Sequence, residues 1–149
     1  MEDLVIALKS EVMGEAFFRS AYYATFFSDR RNKAKMLWQL EVQTKTRIIE
    51  YFQANHIKVP KLKWAALKGS IFGIFYSIIP WYIVIKEILK ETEYYLAVFH
   101  RLEKQANEKD KELFEYIVAH EVAIANFAEI ELINSSNNSL KSIESLLNN

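Results

Sequence analysis

The chain contains no cysteine. That excludes disulfides, thiolate zinc sites and cysteine nucleophiles, and it suits a reducing compartment. Glycine and proline are scarce, three and two among 149 residues, so little interrupts long helices. There is no glycine-rich phosphate loop and no HExxH motif. No serine stands out with a histidine and an acid near it. No sign of charge dominates: 19 Lys and Arg balance 19 Asp and Glu. With no one-sided basic helix face in view, nucleic acid is not an expected partner. The opening MEDLVIALKS starts acidic and turns polar after a short apolar run, unlike a secretory signal. The expected location is cytoplasmic, with room for peripheral contact at a membrane.

What the chain has is apolar bulk. Hydrophobic residues make up 51% and aromatic residues 14%, enough for a packed all-α core at this length. Four long helical patterns stand out. From Glu2 to about Phe27, one side carries Leu4, Leu8, Glu11, Glu15, Phe18, Tyr22 and Thr25. Ser28 and Asp29 then supply capping side chains. The second pattern runs from about Arg30 to Ala54, with Ala34, Leu37, Glu41, Thr44, Ile48 and Phe52 on its stripe. The third runs from about Trp81 to Ala106. Leu89, Glu93, Leu96 and His100 share one side there, flanked by Ile88, Thr92, Tyr95 and Phe99. The fourth is centred on Leu113 to Leu132, where Phe114, Ile117, Ile124, Ala128 and Leu132 align around Glu121. The expected organisation is a helical bundle over 1–134 and a tail over 135–149. In that tail Leu140, Ile143 and Leu147 form a short amphipathic helix that docks weakly or frays.

Between the second and third patterns lies a stretch of another kind. Pro60 ends a connection that begins at Asn55. From Gly69 to Ile85 there is no charged residue: GSIFGIFYSIIPWYIVI. The run falls short of the roughly 20 residues of a membrane-spanning helix, and Pro80 reads as the first turn of a new helix. Three readings stay open: an apolar crossover buried in the bundle or in a homodimer contact, a membrane-surface patch, and a true span. In the second, Trp64, Trp81 and Tyr82 sit at headgroup level.

A glutamate stands mid-stripe on each long helix: Glu15, Glu41, Glu93 and Glu121. A carboxylate on a buried face needs a cation, a proton or several donors. Glu15 and Glu41 are 26 positions apart and Glu93 and Glu121 are 28 apart, so the chain reads as two hairpins with acids at matched depth. Both second arms contain Glu-Val, at Glu41-Val42 and Glu121-Val122. Glu11 is an alternative to Glu15 as the acid of the first helix.

On these residues the chain resembles the ferritin-like superfamily of carboxylate-bridged dimetal proteins. That family orders its ligands Glu, Glu-x-x-His, Glu, Glu-x-x-His on four helices. The matching segments are Gly14-Glu15, Glu41-Val42-Gln43-Thr44, Glu93 and Glu121-Val122-Ala123-Ile124. The uncharged run before the third helix is similar to that of relatives that dip helix surface into a bilayer, the demethoxyubiquinone hydroxylases and membrane-linked rubrerythrins. The resemblance implies a ferritin-like four-helix bundle with a long apolar helical crossover. It implies two ions, iron or manganese, with Glu15 and Glu93 as terminal and Glu41 and Glu121 as bridging ligands. Such a centre would serve an oxidoreductase or iron-handling protein by activating oxygen or peroxide.

The departure from the family pattern is specific. Thr44 and Ile124 stand where the histidines belong. An all-oxygen site favours harder ions such as magnesium, manganese or calcium. His100 lies two turns from Glu93, about 10 Å along a helix. His120 adjoins Glu121 but points about 100° away, and His56 falls near a helix end. The second route is therefore a metal-free bundle that acts as a binding, membrane-associated or assembly module. Its buried acids would be held by protonation or by partners such as Arg19, Arg47 or Tyr22.

Overall fold

The computed structural model describes residues 2–134 and 137–148. Every regular element among them is helical, and they group into two compact units, Met1–Ser77 and Ile78–Asn149.

The first unit holds α1 (Glu2–Ala24), α2 (Ser28–Ala54) and α3 (Lys63–Ser77). The predicted stripes of α1 and α2 are its core. Leu4, Leu8, Glu11 and Phe18 are buried on α1, Thr25 is buried just after its end, and all six predicted positions of α2 are buried. A turn over 25–27 reverses the chain. Arg31 secures it by donating to the Thr25 carbonyl at 2.8 Å. The contacts of Trp38 with Tyr22 and of Lys45 with Glu15 confirm that α1 and α2 run antiparallel. At its far end α2 closes in a Schellman motif. The amide of His56 bonds the carbonyl of Gln53, and that of Ile57 bonds the carbonyl of Phe52. This geometry puts His56 at φ 55°, the left-handed region usually given to glycine.

The apolar stretch after Pro60 becomes α3, and α3 packs on α1. Ala65, Gly69, Gly73 and Ser77 recur every four residues and make one buried stripe of small side chains. A β-carbon on Gly69 would strike the carbonyl oxygen of Met13, and one on Gly73 would strike that of Phe17. Glycine costs about 1 kcal/mol in a helix interior. Here it lets two helix backbones touch, with Cα–H groups against carbonyl oxygens. Gly69 meets α1 at Met13 and Ala16, and Gly73 meets it four residues later at Phe17 and Ser20. The two helices are therefore parallel. No helix among the described residues is long and apolar enough to cross a membrane, which removes the spanning reading.

The second unit holds α4 (Trp81–Gln105), α5 (Lys111–Asn134), a 3-10 turn (Asn137–Leu140) and α6 (Lys141–Leu147). The α4 stripe is rotated from its expected position. Val84, Ile85, Thr92, Phe99 and Leu102 are buried, whereas Glu93 and His100 are exposed. The bulkier residues, read from the sequence as flanks, make the core side. On α5 the expectation holds: Phe114, Ile117, Glu121, Ile124 and Ala128 are all buried. Trp81, at the start of α4, donates its indole N–H to Glu131 near the end of α5 at 2.6 Å. Ser139 donates to the other oxygen of Glu131 at 2.6 Å. The tail is docked rather than frayed, with Leu140 and Ile143 buried. Ser135 and Ser136 of the polar cluster lie outside the described residues.

Formal neutrality hides an uneven distribution. The first unit carries twelve Lys and Arg against seven Asp and Glu, a net +5, and the second carries seven against twelve, a net −5.

Candidate functional site

Two features of the first unit carry chemistry: a buried acid pair between α1 and α2, and the outward side of α3.

Glu11 is buried on α1 and Glu41 on α2, with a carboxyl oxygen of each within 4.8 Å of the other. The chain makes room for this. Gly14 lies against the Glu41 carboxyl group, and a β-carbon there would stand 2.5 Å from its carbon and from one of its oxygens. Burial pushes the Glu11 carboxyl up from 4.5 to about 8, against the opposing pull of hydrogen bonds with Glu41 and Ser10. Ser10 also donates to the Ala7 carbonyl at 2.7 Å. Two acids this close cannot both ionise cheaply, so at neutral pH the pair keeps a proton.

The four glutamates singled out from the sequence have different fates. Glu41 is buried in the pair just described. Glu15 is half-buried and bound by Lys45. Of the two candidate acids on the first helix, it is Glu11 that meets Glu41. Glu93 is exposed on α4, which corrects the expectation that it lies mid-core. Glu121 is buried on α5, with one oxygen 3.8 Å from Nε2 of its neighbour His120. Burial drives the His120 imidazole down from 6.5 to about 3, so it is neutral and the contact is not an ion pair.

The residues do not fit the dimetal centre of the family pattern. The Glu15 carboxylate is neutralised by Lys45, and Glu93 stands in water. Thr44 spends its hydroxyl proton on the Leu40 carbonyl at 3.1 Å, and Ile124 is packed in the core. His100 pairs instead with Glu103 at 3.0 Å on the exposed side of α4.

Sequence reasoning missed two buried charged residues, Lys33 and Glu131. Lys33 is 1% exposed and bonds Asp29 one turn earlier at 2.7 Å. Glu131 is buried beneath Trp81 and Ser139. Glu11 is on the expected buried stripe, as the alternative to Glu15 for the acid of the first helix. The tryptophan and serine partners of Glu131 lie 50 and 8 positions away, and no short motif links them.

The outward side of α3 is apolar to an unusual degree. Trp64 is 82% exposed, Leu67 48%, Ile71 57%, Ile74 56% and Phe75 55%. Lys58, Lys61, Lys63 and Lys68 are exposed around the helix start, and residues 51–86 contain no Asp or Glu. Gly69, Gly73 and Ser77 give the inner side to α1, so the large side chains are left on the outer one. No protein family, curated protein or solved structure matches this chain.

Proposed function

We propose that the chain is a ferritin-like helical module without a redox dimetal centre, and that it works as a peripheral membrane-associating protein through α3. The single observation that carries this reading is the α3 outer side: large apolar side chains in water, with exposed lysines around the helix start and no acid in residues 51–86 of the chain. A helix of this composition lies in the plane of a bilayer surface, its apolar side at the acyl boundary and its lysines at the phosphates. Each buried Phe, Leu or Ile contributes roughly 1.5–3 kcal/mol. Each lysine near an anionic surface adds about 1 kcal/mol. An apolar patch of this kind is otherwise costly for a protein to leave in water.

The test is vesicle flotation of the intact chain, with Ile71→Ser and Phe75→Ser as paired variants. Both residues are exposed, so the substitutions leave the core intact. Flotation of the wild type and its loss in both variants supports the reading. A wild type that stays at the bottom with vesicles of any charge ends it.

The buried pair Glu11–Glu41 favours a second reading, a carboxylate cation site of the iron or manganese type. It calls for elemental analysis of protein purified without chelator, alongside Glu41→Gln. Stoichiometric metal in the wild type and none in the variant supports it. No metal after reconstitution with ferrous iron or manganese ends it.

A further inference from the structure

The apolar side of α3 does not stand alone in the first unit. Because α3 runs parallel to α1, its last residue, Ser77, comes level with about Ala21, and the turn after α1 lies just beyond it. The next residues of that turn are at most two helical turns away, about 5 Å per turn. They too are bare: Tyr23 is 72% exposed, Phe26 91% and Phe27 59%. A turn between antiparallel helices has no packing use for two adjacent phenylalanines in water. Two guanidinium groups are fixed at the same place. Arg30 lies over the Phe27 ring at 4.6 Å, and Arg31 bonds the Thr25 carbonyl. Arg19 and Lys35 are exposed nearby along the same two helices, and Asp29 is the one acid between residues 16 and 40.

We infer that the 25–27 turn is an insertion tip, in which Phe26 and Phe27 enter the acyl boundary while Arg30 and Arg31 hold the phosphates of anionic lipids. The inference rests on the proposed membrane association and extends it from one helix to one end of the first unit. The occupant is set by charge complementarity: the unit is net +5, and the tip presents exposed aromatic rings beside the guanidinium groups of Arg30 and Arg31. Guanidinium groups beside exposed aromatic rings match a surface that offers phosphates next to acyl chains, which a flat apolar protein face does not. Phenylalanine rings at the tip and tryptophan at Trp64, near the other end of α3, follow the usual depth order of a tilted interfacial element.

Two measurements test this. In flotation with vesicles of phosphatidylcholine alone or mixed with phosphatidylserine, the wild type favours the mixed vesicles. Phe26→Ser/Phe27→Ser lowers binding to both. Arg30→Gln/Arg31→Gln removes much of the preference for phosphatidylserine, roughly fivefold per cation. The second measurement uses the absence of cysteine, which gives Phe26→Cys a unique site for an environment-sensitive fluorophore. Addition of mixed vesicles shifts its emission to the blue. If the label at Phe26 stays unshifted while one at Phe75→Cys shifts, the tip is overturned and the α3 reading stands. If neither shifts and the wild type does not float, both fall together. If both shift but phosphatidylserine makes no difference, the anionic-lipid assignment is overturned.

Discussion

The carboxyl group of Glu41, on α2, fills the space beside Gly14 on α1 where a β-carbon would stand, 2.5 Å from its carboxyl carbon. Removing glycine from a helix interior normally stabilises it by about 1 kcal/mol. Here the added methyl group has to displace a buried acid held in a pair. Gly14→Ala is therefore expected to destabilise the protein by roughly 1–2 kcal/mol in urea denaturation, reversing the propensity gain. The double variant Gly14→Ala/Glu41→Ala recovers most of that loss, because the methyl then occupies the vacated space. Equal losses in the single and double variants would dissociate the glycine from the acid.

The pair also sets a pH dependence with a definite sign. Glu11 has a folded-state pKa raised from 4.5 to about 8. Its neutral form suits the core, so its contribution is fully present below about pH 4.5 and is lost as pH rises to about 8. Glu11→Gln mimics the neutral form. Its stability gain over the wild type should be small near pH 5 and grow to about 2–4 kcal/mol near pH 9. His120 works on the acid side. Its folded pKa is lowered from 6.5 to about 3, so its contribution is present above 6.5 and lost as pH falls towards 3. His120→Gln should flatten the acid limb of the stability profile and leave the alkaline limb in place.

The helices were legible in the sequence because their apolar stripes are long and regular. On α2, six of six predicted positions are buried, since Leu37, Ile48 and Phe52 leave no other face to bury. On α4 the face was displaced by one position. A stripe through Glu93 is regular in spacing, but the larger Ile85, Tyr95 and Phe99 favour the neighbouring one. The partner of α3 was not legible, because a run such as GSIFG is apolar on every side. Only the spacing of small residues, Ala65, Gly69, Gly73 and Ser77, marks the side that meets another backbone. The acid pair was half visible. Glu11 and Glu15 are one turn apart on the same stripe, and the choice between them depends on Lys45, which comes from another helix.

In the second unit, Glu131 accepts hydrogen bonds from Trp81 and Ser139, both 2.6 Å long, and so joins the start of α4 to the segment after α5. Trp81→Phe keeps the ring bulk and removes the donor. The expected cost is about 1–3 kcal/mol, since a buried charge-assisted bond is lost. Trp81→Phe combined with Glu131→Gln should recover part of it. Thermal unfolding of the wild type and the two variants checks the order.

The end of α2 holds a residue that glycine would suit better. His56 sits at φ 55° in the Schellman position and is exposed. His56→Gly relieves left-handed strain worth about 1 kcal/mol, offset in part by the greater freedom of the unfolded chain. A net gain of roughly 0.5 kcal/mol is expected in urea denaturation. A loss of stability would show that the imidazole makes a contact worth more than the backbone strain.

Gly73 of α3, packed against the α1 backbone, behaves in the opposite way. A side chain at Gly73 meets the carbonyl oxygen of Phe17, which belongs to a helix backbone and cannot swing aside as a flexible side chain can. Gly73→Ala therefore forces the two helices apart along the stripe from Ala65 to Ser77. A cost of about 1–3 kcal/mol is expected despite the better helix propensity of alanine. The loss should be local. Amide exchange should speed up across α3 and the facing half of α1, while α4 and α5 keep their protection, because their contacts with each other are untouched. Ser77→Ala, at the end of the same stripe, is the control: it changes little volume and removes a hydroxyl whose bond is to Ile74 within its own helix. If Gly73→Ala left exchange in α3 unchanged, the close backbone contact would not be what holds that helix in place.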